Sequence, residues 1–144
     1  IANELTTIYP NAVMNATTIA QVTDLASTIN ELKAKNLLHD TVVLMFGANS
    51  AFTKGQLERE LKRIGMEKQI FLVTTTTSKT WRDDVNAVYE AISEKYSNVH
   101  VLDWNEYSKD QDWFYSHKSY VTEVGAHEET LFFAKKIYET LRGN

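Results

Sequence analysis

The chain has 144 residues, of which 43% are hydrophobic and 24% are charged, and its formal net charge is −4. These values are typical of one globular domain that is large enough to bury a core. The acidic balance and the lack of a basic cluster argue against nucleic acid as a partner. There is no cysteine, which excludes disulfides, thiolate metal sites and a cysteine nucleophile. The histidines show no metal-ligand spacing, so we expect neither a metal nor a cofactor.

The first third of the chain shows weak and then strong periodic patterns. Residues 2–8 read as a helix that stops before Pro10, because proline cannot continue it. Residues 12–18 are predicted to form a weak strand. Over residues 22–35 the apolar positions recur at helical spacing, which predicts an amphipathic helix.

A continuous apolar run rich in β-branched residues follows at residues 41–46. It predicts a strand that is buried on both faces. Gly47 ends the run. Thr53 and Gln56 then have the capping-box spacing that starts a helix, and Gly65 is where we expect that helix to stop.

The remaining elements alternate in the same way. Residues 69–75 and 98–104 are predicted strands, whereas apolar spacing over 85–96 and 131–141 predicts helices. Strands that alternate with helices imply a parallel sheet with helices on both faces. The sequence therefore predicts one α/β domain over residues 1–144, with three layers.

The turn after the 41–46 run is the expected place for a site. A buried strand that leads through Gly47-Ala-Asn49 into a helix puts Asn49 at the carboxyl edge of the sheet, where open α/β sheets bind ligands. Asn49 is either a ligand donor or a cap of its own turn. Ser50, beside it, could act as a nucleophile only if a histidine activated it.

Six short segments occur in one characteristic order: Tyr9-Pro-Asn-Ala12, Gly47-Ala-Asn49, Trp81-Arg-Asp-Asp-Val-Asn86, Val101-Leu-Asp-Trp104, Trp113-Phe114 and Gly125-Ala126. With them the chain resembles the extracellular SGNH-hydrolase-like domain of bacterial cell-wall O-acetyltransferases, the type that acetylates peptidoglycan. The resemblance covers nearly the whole chain. It implies a flavodoxin-like α/β/α fold, an extracytoplasmic place at a bacterial cell surface, and a Ser-His-Asp triad with an oxyanion hole.

The family's functional positions carry over unevenly. The oxyanion asparagine falls on Asn49, but the oxyanion glycine falls on Ile19. The triad's aspartate and histidine fall on His117 and Tyr120. The nucleophilic serine belongs to a Gly-Asp-Ser turn after a strand that is expected before Ala2, so residues 1–144 lack that first strand.

These replacements predict a catalytically degenerate domain. Tyrosine, with an unperturbed pKa near ~10, is a poor general base at neutral pH. The resemblance then implies binding or regulation, with a peptidoglycan-like or other cell-surface glycan as ligand and a membrane acyltransferase domain as an attached or associated partner. The expected ligand-binding residues are Asn49, Ser50, Trp113, Ser116 and Tyr120.

Alternatives about the function and about the roles of single residues stay open at this stage. The domain could be an active esterase or O-acetyltransferase whose serine lies upstream of Ile1 and whose base is a displaced His117, or a protein-interaction domain without glycan affinity. Asp103 could pair with Arg82. The tryptophans could form a sugar-stacking surface or pack in the core: Trp81, Trp104 and Trp113.

Overall fold

A computed structural model describes residues 2–15, 21–118 and 120–143. Its three parallel strands, in the order β1-β2-β3, are Thr41–Leu44, Gln69–Val73 and Val99–Leu102. The helices, α1 to α6 in chain order, are Ala2–Ile8, Leu25–Ala34, Lys54–Ile64, Arg82–Lys95, Trp104–Ser108 and Glu123–Arg142. Short 3₁₀ helices are formed by Val22–Asp24 and Ser116–Lys118.

The central strand β2 divides the core into two halves. Ile70 and Leu72 point to a cluster formed with α2, α3 and α4, whereas Phe71 and Val73 point to a cluster that includes Trp104 and residues of α6. All four of these strand residues are at most 1% exposed. Their alternation puts helices on both faces of the sheet, as the period of two in a strand requires. The predicted three-layer α/β fold with a parallel sheet is confirmed.

Strand β1 differs from its prediction. It is a strand only over Thr41–Leu44, and it pairs with β2 alone in the described part of the chain. Thr41 and Val43 are exposed, and Met45 after the strand is 54% exposed. The prediction of burial on both faces is therefore wrong. Val42 and Leu44 pack on the cluster of α2, α3 and α4, whereas Val43 on the opposite face belongs to neither core cluster. An apolar run shows that a segment can pack, but it does not show whether helices cover both of its faces.

The ends of α3 follow their sequence signals. The amide of Gln56 donates to Thr53 Oγ1 over 3.2 Å, and the amide of Thr53 donates to Gln56 Oε1 over 2.9 Å. This is the predicted capping box, which satisfies two of the amides that a helix start leaves without partners. Gly65 ends the helix with a φ of 123°, a conformation that side chains rarely adopt.

Two other predictions need correction. Residues 12–15 are not a strand in the structure, and residues 16–18 of the predicted strand lie outside its described part. The predicted strand at 98–104 ends at Leu102, because Asp103 caps the short helix α5 by accepting a hydrogen bond from the amide of Glu106. The Asp-x-x-Glu spacing was a sequence signal for that helix start.

No helix in the described ranges is both long enough and apolar enough to cross a membrane.

Glu129 on α6 has a buried carboxyl group. Its side chain is 1% exposed, and neither carboxylate oxygen has a hydrogen-bond partner within the described residues. Burial raises the pKa of Glu129 from 4.5 to about 8, because an ionised carboxylate loses its hydration there. The folded protein therefore holds a proton on Glu129 under conditions in which the unfolded chain has released it.

We predict that Glu129 makes the protein less stable as the pH rises from 4.5 to about 8. The folded state binds the extra proton in this window, so its free energy of unfolding falls there by a few kcal/mol. Glu129→Gln removes the titration, and its stability relative to the natural protein should improve steadily from pH 5 to pH 8 in urea denaturation. Glu139→Gln, on an exposed position of the same helix, is the matched control. A stability difference for Glu129→Gln that does not change with pH would contradict this account.

Candidate functional site

The turn after β1 depends on a glycine. Gly47 has a φ of 100°, and a Cβ atom added there would lie 2.9 Å from the Tyr89 hydroxyl oxygen and 3.0 Å from Val85 Cγ1. Both the backbone conformation and the space exclude a larger residue. Gly47 thus lets the chain turn at the carboxyl edge of the sheet and present the residues that follow, Ala48 and Asn49.

Side chains of helix α4 and of the loop before it donate hydrogen bonds to the backbone of this turn. The Tyr89 hydroxyl donates to the Phe46 carbonyl over 3.0 Å, and Trp81 Nε1 donates to the Gly47 carbonyl over 3.2 Å. Tyr89 is fully buried, and burial raises the pKa of its hydroxyl, which therefore stays neutral as a donor. Trp81 is half-buried against the core and thus has a structural role in this turn. The support from Tyr89 was not predicted.

The loop after β2 contains consecutive threonines that form hydrogen bonds with the start of α5 and with α4. Thr74 Oγ1 donates to Asp103 Oδ1 over 3.1 Å and accepts from the amide of Asn105 over 2.8 Å. The amide of Thr75 donates to Asn86 Oδ1, and Asn86 Nδ2 donates to the Thr75 carbonyl. These bonds fasten the loop after β2 to the start of α5 and to α4. The side chains in these bonds therefore hold the loops at the carboxyl edge of the sheet in place.

Asp103 does not form the pair with Arg82 that the sequence suggested. Its Oδ1 accepts from the Glu106 amide and from Thr74, whereas Arg82 Nε lies 3.0 Å from its neighbour Asp83. An aspartate side chain at the N-cap satisfies one of the amides that a helix start leaves without partners. Asp103 is therefore a structural acceptor in this arrangement.

A small hairpin covers the same edge of the sheet. Phe114 pairs antiparallel with Val121, the amide of Tyr115 donates to the Tyr120 carbonyl over 3.0 Å, and the amide of Thr122 donates to the Trp113 carbonyl over 2.7 Å. Thr76 Oγ1 donates to the Lys118 carbonyl over 2.6 Å. The hairpin is thus bound to the loop after β2. We refer to the described residues 113–118 and 120–122 as the edge hairpin.

The edge hairpin is also packed firmly against the core. The Trp113 ring stacks on Trp104 with 5.6 Å between ring centroids and 9° between ring planes. A Cβ atom on Gly125 would lie 2.3 Å from the Trp113 carbonyl oxygen, so only glycine lets α6 approach so closely. Trp104 is 2% exposed. Both tryptophans serve core packing, which leaves at most one face of Trp113 for a ligand.

The predicted ligand-binding residues lie on two segments. Ser116 and Tyr120 lie exposed on the edge hairpin, whereas Asn49 and Ser50 follow the Gly47 turn at the carboxyl edge. The side chain of His117 and the whole of Ile19 lie outside the described part of the structure. The sequence interpretation missed Tyr115. Tyr115 follows Trp113 and Phe114, which both pack against the core, and its own side chain is exposed.

Other histidines take part in contacts away from this edge. His100 Nε2 lies 2.8 Å from Gln69 Oε1 at the start of β2, and burial lowers the pKa of its imidazole. His127 Nδ1 lies 3.2 Å from Glu4 Oε1, between α6 and α1. Both contacts are structural pairs within the helices and sheet.

We predict that Gly47→Ala destabilises the protein by about 1–3 kcal/mol, because it forces a strained φ and a clash with Tyr89. Gly55→Ala is the matched control, because a Cβ atom at Gly55 meets nothing within 4 Å. In the first turn of α3 it should leave stability unchanged or raise it by up to about 1 kcal/mol. Urea denaturation measures both. Equal effects of the two substitutions would contradict the role given to Gly47.

Known proteins resemble this chain over a limited part of their own length. The chain is 30% identical over 130 residues to the O-acetyltransferase OatA of Staphylococcus aureus strain COL, which covers 90% of this chain and 20% of that protein. A putative O-acetyltransferase of Staphylococcus aureus strain MSSA476 is 34% identical over 90 residues, which is 62% of this chain and 14% of the relative. No family model matches the chain. The chain thus spans about a fifth or less of the curated relatives and is related to one segment of bacterial O-acetyltransferases.

Proposed function

We propose that residues 1–144 are a single SGNH-hydrolase-like domain of a bacterial cell-wall acyltransferase system, and that the domain is extracytoplasmic and catalytically degenerate. It binds peptidoglycan or a similar cell-surface glycan, and through that binding it serves recognition or regulation. A membrane acyltransferase domain, attached or associated, is the expected partner. The similarity to a segment of O-acetyltransferases supports the assignment of the domain to an acyltransferase system.

The observation that carries the degenerate assignment is the residue at the position of the family's general base. Tyr120 stands there, and its side chain is 75% exposed. A general base must lie within hydrogen-bond reach of the nucleophile whose proton it takes, and a phenol that projects into solvent supports no such arrangement. Asp103, the carboxylate at the end of β3, is already engaged as a helix cap.

The same edge keeps features that suit ligand binding. Asn49 carries an amide that can both donate and accept hydrogen bonds, and Ser116 carries a hydroxyl. Sugar hydroxyl and acetamido groups need such partners when they leave water. The Gly47 turn and the edge hairpin are each fixed by hydrogen bonds to their neighbours, so the site loses little conformational entropy on binding.

One observation favours a second candidate function. Strand β1 has an edge that pairs with no strand of the described ranges, and Val43 and Met45 are exposed beside it. A further parallel strand on this edge would end near the Gly47 turn and could carry a serine nucleophile. In that case the domain would be an active esterase or O-acetyltransferase, with His117 as the displaced base.

Activity separates the two candidates. We expect the full natural protein to hydrolyse an acetyl ester no faster than buffer, under conditions in which the O-acetyltransferase OatA of Staphylococcus aureus is assayed in parallel. His117→Ala should change nothing, and His39→Ala serves as a control for loss of a histidine elsewhere. Turnover by the natural protein that His117→Ala abolishes would overturn the degenerate assignment and establish the enzyme.

Glycan binding is tested separately, by co-sedimentation with purified peptidoglycan sacculi. The natural protein should sediment with the sacculi, and Asn49→Ala should weaken the affinity about fivefold through the loss of a hydrogen-bonding amide. Asn30→Ala, at an exposed position of α2, is the matched control and should bind normally. If the natural protein stays in the supernatant at every concentration of sacculi, glycan binding is wrong.

A further inference from the structure

Tyr115 and Tyr120 lie opposite each other near the tip of the edge hairpin. The Phe114–Val121 bridge fixes the register, and the hydrogen bond from the Tyr115 amide to the Tyr120 carbonyl makes these two residues the next facing pair. Facing residues of an antiparallel ladder project to the same side, with Cα atoms about 5.5 Å apart when they are a hydrogen-bonded pair. The two tyrosine side chains therefore share one side of the hairpin.

That side faces away from the core. Phe114 and Val121 pack against the core cluster of Phe71 and Trp104, whereas Tyr115 and Tyr120 belong to no core cluster. Tyr115 is 62% exposed and Tyr120 is 75% exposed. Two exposed tyrosine side chains at facing positions are a surface that the fold does not need for its own packing.

The backbone beneath the two tyrosines is held in place. The amide of Lys118 donates to the Tyr115 carbonyl over 3.1 Å, and the Lys118 carbonyl accepts from Thr76 Oγ1. Lys118 has a φ of 56°, which reverses the chain between the two tyrosines. The two tyrosines thus flank a turn whose backbone is hydrogen-bonded to Tyr115 and to Thr76 in the loop after β2.

We propose that Tyr115 and Tyr120 form an aromatic platform that stacks on the sugar rings of a β-1,4-linked glycan of N-acetylated amino sugars. This inference rests on the proposed function and names the residues that recognise its ligand. The faces of such pyranose rings carry C–H groups with partial positive charge, which suit the negative face of an aromatic ring. Two exposed tyrosines at facing positions can each stack on one sugar of the same glycan chain.

The size and the chemistry of the platform favour a glycan over a protein partner. Full burial of a tyrosine removes about 150–250 Å² from water, so the pair offers far less than the ~800 Å² that each side of a stable protein interface buries. Among the turn side chains that the structure describes, Ser116 and Lys118 are exposed, and they are hydrogen-bonding groups and not the aliphatic residues of an interface core. Tyrosine hydroxyls add donors and acceptors for sugar hydroxyls.

The test is isothermal titration of the full natural protein with a hexamer of β-1,4-linked N-acetylglucosamine, together with co-sedimentation on purified sacculi. Tyr115→Ala and Tyr120→Ala should each weaken both affinities about fivefold or more, and Tyr115→Phe and Tyr120→Phe should keep most of the affinity because the ring remains. Tyr138→Ala removes a tyrosine of similar exposure, 58%, from α6 and should bind normally. Circular dichroism melting checks that each variant is folded.

The outcomes separate this inference from the proposed function. If the natural protein binds sacculi and Asn49→Ala weakens binding while both tyrosine-to-alanine variants bind normally, the platform is wrong and glycan binding stands. If the natural protein binds neither probe, glycan binding and the platform are both wrong. Self-association in analytical ultracentrifugation that Tyr120→Ala abolishes would assign the surface to a second copy of the chain and would also overturn the platform.

Discussion

The stacked contact between Trp104 and Trp113 holds the candidate site together. It lies where α5, the edge hairpin and α6 meet, and it connects the end of β3 to a segment that belongs to no sheet. Gly125 makes the contact possible, because a Cβ atom there would collide with the backbone of Trp113. An isolated two-stranded ladder of this length is not stable alone in water, so the hairpin exists because its inner side is buried by this contact.

The same constraint explains how structural and binding roles divide along the hairpin. Phe114 and Val121 pack on the core, whereas Tyr115 and Tyr120 are exposed. Hydrogen bonds within the chain engage the polar groups of Thr74, Thr76 and Asp103. Under the proposed function, the exposed tyrosine rings and the hydroxyl of Ser116 are the groups that meet the glycan.

Much of the fold could be predicted because its signals are local. The capping box of Thr53 and Gln56 and the stop at Gly65 depend on backbone groups within a few residues. The exposure of strand β1 could not be predicted, because it depends on whether a helix covers each face, and its position at an edge depends on which segment pairs beside it. The edge hairpin depends on Gly125 and Trp104, which lie on other elements, so no local sequence pattern indicates it. For the same reason Tyr120 was singled out by position while its partner Tyr115 was missed.

The most direct test of the account is an amide-resolved NMR titration of the natural domain with the hexamer of β-1,4-linked N-acetylglucosamine. Binding at the carboxyl edge should move the amide resonances of residues 47–50 and 113–122, and it should leave those at the far end of the sheet unchanged, around Lys33 and Lys68. Saturable shifts confined to these two segments are the predicted result. Shifts elsewhere in the domain, or none at ligand concentrations at which sacculi bind, would contradict a glycan site on the edge hairpin.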